Sequence, residues 1–319
     1  MLRRGIFGVA LFLLLAPGFG QQYPAKPITV IVAYPAGGNN DLRARQLAIP
    51  VAGLLGRQLV VENRPGAAGN IGHAALAKAA PDGYTLGIGA VGPLAVNGAL
   101  YPDMSFDASS FAPIVLIERA PLVLVARADK PYKSVADVVA AAKAKPATIA
   151  VGNAGTGGAH HLAATAFEQT AGVQFIHVPY KGGGPAATAL LGGEIEMMFE
   201  QTYAALPSIK AGKTRALAVT SDKRLPSLPD VPTMAELGYP QATISNWLGL
   251  LAPKGTPRPI VMKLNEAYNK ALAMPEIREK IMGPGNEIGG GTPEEFGEFI
   301  AKEADRWPRL VKAAGIKVE

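Results

Sequence analysis

Residues 28–33 read Ile28-Thr29-Val30-Ile31-Val32-Ala33, and residues 34–41 read Tyr34-Pro35-Ala36-Gly37-Gly38-Asn39-Asn40-Asp41. The apolar run has the length and β-branching of a buried strand, while Ala44, Leu47, Ala48, Val51 and Leu55 make a helical stripe over residues 41–55. The glycine pair therefore sits in a strand-to-helix turn, where backbone can approach a phosphate, a carboxylate or nothing at all. Pro50 within the stripe predicts a kink or an early end to the helix.

The same alternation runs outward along the chain. Strands are expected at residues 58–62 and 85–88, then two at 114–126 broken at Arg119-Ala120-Pro121. A second series follows, with a helix capped by Ser134 and Asp137, a strand at 148–151, a helix at 161–171 closed by Gly172, and strands at 174–178, 195–199 and 215–220. A strand at 246–253 leads into helices at 260–273 and 293–314, the last opened by Thr292 and Glu295 and expected to bend at Pro308. Between them, a proline-rich stretch reads as a surface excursion with a short capped helix at 233–237. Strand–helix alternation of this kind predicts an α/β class with mainly parallel sheets. Crossings near residues 119–122 and 245–246 divide the chain into lobe 1 (21–121 and 246–319) and lobe 2 (122–245), joined by two hinge strands.

The first twenty residues, with Arg3, Arg4 and an apolar run from Ile6 to Ala16, read as a signal peptide cleaved after Gly20. The run is too short to span a bilayer comfortably. Its removal lowers the formal charge from +6 to +4, without a basic tract, so no nucleic-acid partner is expected. The absence of cysteine excludes disulfides, zinc–thiolate sites and thiol nucleophiles.

Several motifs suggest chemistry and fall short of it. Gly87-Ile88-Gly89-Ala90-Val91-Gly92 matches a dinucleotide fingerprint, but Pro93, Asn97, Gly98 and Pro102 argue against the helix that should follow. Gly212-Lys213-Thr214 resembles the end of a phosphate-binding loop without its first glycine. The adjacent His160 and His161 would point to different sides of a helix start, so no metal site or cofactor is expected. Four loops remain, each at a strand's carboxyl end: "YPAGGNND", "GAVGPLAVN", "GNAGTGGAHH" and "PYKGGGP". In open α/β sheets that edge is where ligands bind, and glycines there let N–H groups converge on an anion.

The stretches "YPAKPITVIVAYPAGGNNDLRAR", "VVENRPGAAGNIG", "KAAPDGYTLGIG", "RALAVTSDKRLPSLPDVPTMAELGYP", "WLGLLAPKGTP" and "GGTPEEF" resemble the periplasmic solute receptors of tripartite tricarboxylate transporters, also called the Bug family. The resemblance runs from about residue 23 to the end. It implies a two-lobed type II periplasmic binding protein fold that closes over a small organic carboxylate and passes it to membrane transporter subunits. Carried over by motif, Tyr34, Ala36, Gly37, Gly38 and Asp41 form one grip and Thr156, Gly157 and His161 a second. Ala90, Val91 and Gly92 line the remainder with Tyr180, Lys181, Glu200 and Gln201. Asp41 is expected to cap or order its helix, or else to meet a ligand ammonium. Lys181 is expected either to supply a countercharge or only to be solvated.

The departures from the family pattern are Ala36, Asn39-Asn40, Ala90-Val91 and Glu200. Ligand choice is expected to be read first at Asn39-Asn40 and Ala36. The implied protein is a periplasmic monomer that catalyses nothing. The alternatives are an exported α/β hydrolase or transferase using Asp41, His161 or Glu200, and a signalling module on the same fold.

Overall fold

The computed structural model describes residues 23–316 apart from 102, 181, 284 and 314, so the expected signal peptide lies outside the described residues. The first half runs β1 (Ile28–Val32), α1 (Asn39–Leu55), β2 (Leu59–Asn63), α2 (Asn70–Ala77), β3 (Thr85–Ala90), α3 (Asn97–Leu100) and β4 (Phe111–Arg127). The second rhythm is α4 (Val135–Ala144), β5 (Ala150–Asn153), α5 (Ala159–Ala171), β6 (Ile176–Pro179), α6 (Gly183–Gly192), β7 (Met197–Gln201), α7 (Thr202–Lys210) and β8 (Thr214–Val219). β9 (Ser245–Pro253), α8 (Arg258–Leu272), α9 (Pro275–Met282), β10 (Glu287–Gly290) and α10 (Pro293–Ala313) complete the chain.

The strands form one curled sheet in the order β2-β1-β3-β9-β4-β7-β5-β6, with β8 and β10 added against β4. The strands of the βαβ rhythm pair in parallel, β1 with β2 and β3, and β5 with β6 and β7. Every pairing made by β4 or β9 is antiparallel, so the α/β class stands while the sheet is mixed.

The expected break at Arg119-Ala120-Pro121 is absent, and β4 is a single strand of 17 residues. Its first part pairs with β9 as far as Pro121↔Ser245, and from Leu122↔Gln201 onward it pairs with β7. The proline's missing N–H thus falls where one partner is exchanged for another, and costs no ladder bond there.

Other local expectations also shift. α1 and α10 continue through Pro50 and Pro308. Residues 233–237 form a turn rather than a helix: Thr233 and Glu236 make the reciprocal capping bonds, and Gly238 in a left-handed conformation follows at once. Residues 91–100 are helical after all, with π geometry over Gly92–Val96. Pro93 stands in the first turn of this π segment, where its missing N–H costs no helical bond, and Gly98 falls in the short α3 that follows.

Ile28, Val30, Val32, Leu47, Leu86 and Leu250 form the apolar layer between the first-half sheet and its helices. A larger cluster spans both halves and contains Phe167, Phe199, Trp247, Phe296 and Trp307. Burying indoles obliges their N–H groups to find acceptors. Glu303 of α10 takes both, from Trp247 at 3.1 Å and Trp307 at 2.8 Å, which fastens the last helix across the sheet.

Candidate functional site

A cleft of about 740 Å³ opens at the carboxyl ends of β1, β3, β5 and β7. Its walls include the starts of α1 (Asn39, Asn40), the π turn (Val91, Gly92), α5 (Ala159, His160), α6 (Gly183, Gly184) and α7 (Tyr203, Ala204). A helix start leaves N–H groups without intrahelical acceptors and carries a partial positive charge, worth about 0.3–1 kcal/mol for one anion and up to ~2 when partly buried. Capping differs among the helices, and α2, α8 and α9, away from the cleft, also begin without a side-chain cap. α4 has a complete box from Ser134 and Asp137, and α10 has one from Thr292 and Glu295. α1, α5 and α6 begin on glycine with no side-chain cap, so their donors face the cleft open.

The first and third glycine loops have one geometry. Gly37 (φ +83°) and Gly157 (φ +75°) are left-handed, and Gly38 and Gly158 follow as extended N-caps with φ, ψ of −74°, 169° and −75°, 166°. Only glycine takes the first position without strain. Gly37 donates its N–H to Asp41 Oδ2 at 2.9 Å, and Gly157 donates to His161 Nδ1 at 3.0 Å. An acceptor four residues on thus closes each loop back onto its own helix.

The two acceptors differ in charge. Asp41 also receives Arg45 Nε and Asn63 Nδ2, and these bonds, Arg45's foremost, hold its carboxyl down at about 2. His161 is pushed down to about 4, chiefly by burial and further by His177, whose ring lies 4.8 Å away. It is neutral at pH 7, as an acceptor Nδ1 requires.

Among the expected site residues, Tyr34, Ala90, Val91, Gly92, Thr156, Gly157, Glu200 and Gln201 line the cleft. Ala36, Gly37 and Gly38 are exposed outside it, and the Gly37 N–H is already taken by Asp41. Asp41 and His161 lie behind the loops as their fasteners. Tyr180 points its hydroxyl toward Glu194, 3.5 Å away, and does not line the cleft. Lys181 lies outside the described residues.

Sequence reasoning did not place His160, Tyr203 or Asn246 in the site, although all three line it. His160 faces the cleft while His161 turns back, because neighbouring residues on a helix point about 100° apart. His160 is also pushed down to about 4 by burial. The glycine-capped start of α5 was the available signal, since first-turn side chains there must border whatever the loop holds.

Beneath the cleft lies a buried charged network. Asn39 Nδ2 donates to Glu118 Oε1 at 2.8 Å, and Glu118 Oε2 meets Arg43 Nη2 at 2.7 Å and Asn286 Nδ2 at 3.0 Å. Glu118 and Arg43 are 0% and 3% exposed, so their charges survive burial only as a pair. Asn39 is thereby tied to strand β4, which serves both halves of the sheet.

A cleft between two α/β halves, walled by helix starts and glycine loops, has the architecture of a receptor for a small solute. The chain belongs to the tripartite tricarboxylate transporter receptor family, whose model matches residues 43–316. It is 39% identical to protein BugT of Bordetella pertussis over 317 residues, 99% of this chain and 97% of that protein. An R. palustris protein solved with adipate superposes with a TM-score of 0.81 at 35% identity, over 93% of this chain and 100% of that one. MatC of Rhodopseudomonas palustris, solved with bound malate, gives a TM-score of 0.77 at 32% identity, over 91% and 100%. The family is one of periplasmic solute receptors rather than enzymes, which removes the hydrolase and transferase reading.

Proposed function

We propose that this chain captures a small organic carboxylate in the periplasm and delivers it to a tripartite tricarboxylate-type membrane transporter. The uncapped starts of α1, α5 and α6 around one cleft carry this reading, because they supply donors and positive potential for an anion. A carboxylate gains about 1.5–3 kcal/mol per charge-assisted bond, so a few such bonds reach micromolar affinity after ordering costs. The adipate and malate carried by the solved relatives are of this chemical class.

In this reading the lobes are 21–121 with 246–319, and 122–245. They close over the ligand because only the closed state lets both contact it. The protein works as a monomer released by cleavage of residues 1–20, and it meets its transporter transiently. Tyr34, Thr156, Gly157, Glu200 and Gln201 touch the solute, and Asp41 and His161 hold the loops that do. Thermal-shift screening of the mature chain against mono-, di-, tri- and aromatic carboxylates, followed by calorimetry, tests the proposal. Stabilisation by neutral sugars or cations and by no carboxylate would sink it.

A further inference from the structure

The cleft contains a carboxyl group where a binder of anions would be expected to place a cation. Among its described lining residues there is no lysine or arginine. Glu200, at the end of β7, is 4% exposed and lines the cleft, and its side chain has no hydrogen-bond partner among the described residues. A carboxylate so little exposed, even at the wall of a cleft, is costly in its charged form unless it is neutralised or bonded.

Among the described residues its surroundings supply no compensating charge. β4 presents Val123 opposite it, and α6 presents Ala187. On α7 the neighbour is Tyr203, beyond which lie the mutually paired Glu118 and Arg43. α5 contributes the neutral His160 to the same cleft. Lys213 is exposed and borders a separate pocket of about 280 Å³ that shares Glu200 as a wall. Burial pushes the carboxyl up to about 7. Glu200 therefore exchanges its proton near neutral pH, where a ligand can decide its state.

We infer that Glu200 binds the solute in its protonated form, donating its O–H to the far carboxylate of a dicarboxylate, so that capture takes up one proton from solvent. The inference rests on the carboxylate-receptor reading. The near carboxylate lies at the starts of α1 and α5. The far one lies at the starts of α6 and α7, beside Glu200. Two carboxyl groups in hydrogen-bond contact cannot both stay ionised, so the proton is held between them. A ligand with a purely apolar tail would leave Glu200 without a partner.

The test is calorimetric titration of the mature chain with adipate, malate and hexanoate, in two buffers of different ionisation enthalpy, from about pH 6 to about pH 9. The dicarboxylates should take up about one proton per ligand above about pH 7 and lose about tenfold in affinity per pH unit there. Glu200→Gln offers an N–H donor that does not titrate. Its adipate affinity should be flat with pH and about tenfold above wild type at about pH 8, with circular dichroism confirming the fold.

Dicarboxylate binding without proton uptake would overturn the inference. So would an affinity that rises with pH and is lost in Glu200→Gln, which would make Glu200 an acceptor for a ligand donor. If hexanoate binds and neither dicarboxylate does, the far-carboxylate contact falls while the receptor reading stands. If no carboxylate of any kind binds, both fall.

Discussion

Gly37 donates its N–H to Asp41 Oδ2 at 2.9 Å, and that bond folds the first glycine loop back onto α1. Asp41→Ala removes it together with the contacts to Arg45 and Asn63. The loss should cost about 1–3 kcal/mol in urea denaturation. Because the folded pKa is lowered from 3.8 to about 2, this carboxylate's contribution is complete above about pH 4 and fades as pH falls to about 2. An unchanged urea midpoint in Asp41→Ala would refute the fastening role.

Acid should destabilise the fold well before Asp41 titrates. His73, His160 and His161 are each pushed down from 6.5 to about 4, primarily by burial. Their neutral forms favour the folded state, so their contribution is full above 6.5 and is lost as pH falls toward 4. Fully buried His73 alone gives a slope of about 1.4 kcal/mol per pH unit in that window. Denaturation midpoints across this range, in wild type and His73→Gln, check it. Equal slopes in the two would count against the buried neutral histidine.

Glu118 and Arg43 form the buried pair beneath the cleft. Removing one partner strands the other's charge, so Glu118→Ala should lose about 3–5 kcal/mol, while Glu118→Ala with Arg43→Met should recover much of it. A double-mutant cycle in urea measures the coupling. Additive losses would show that the two charges are independent.

Gly157 and Gly37 share a backbone conformation but not an environment. A Cβ at Gly37 meets open space, whereas one at Gly157 collides with Leu100 Cδ1 across the cleft. Gly37→Ala should therefore cost only the left-handed strain of about 1–2 kcal/mol. Gly157→Ala should add a loss of ligand affinity, because Leu100, which also lines the cleft, must move to admit the new methyl. Calorimetry on Gly157→Ala with and without Leu100→Ala separates the two effects. Failure of the second change to restore affinity would remove the steric explanation.

Much of this was legible in the chain. The βαβ rhythm, the glycine loops and the boxes at Ser134 and Thr292 depend on residues close together in sequence, and local physics suffices for them. The continuity of β4 through Pro121 was not legible, since it depends on which strands flank that proline. Nor were residues 91–100, where Pro93 stands in the first turn of the π segment and so costs no helical bond. Strand β10 has four residues, two of them glycine, with a third glycine directly after it, too few to signal a strand.

The sequence by itself determined the α/β class, the position of the glycine loops at strand ends, and the capped helix starts at Ser134 and Thr292, because strand period, helix period and capping are all short-range. Only the tertiary structure decided which residues line the cleft. It turned Asp41 and His161 away and brought His160, Tyr203 and Asn246 in. It also set Glu200 in the cleft, where no described lining residue is a lysine or arginine. The rotation of a helix and the choice of neighbouring strand are fixed by packing across the whole sheet, and that packing assigns each side chain to ligand, core or solvent.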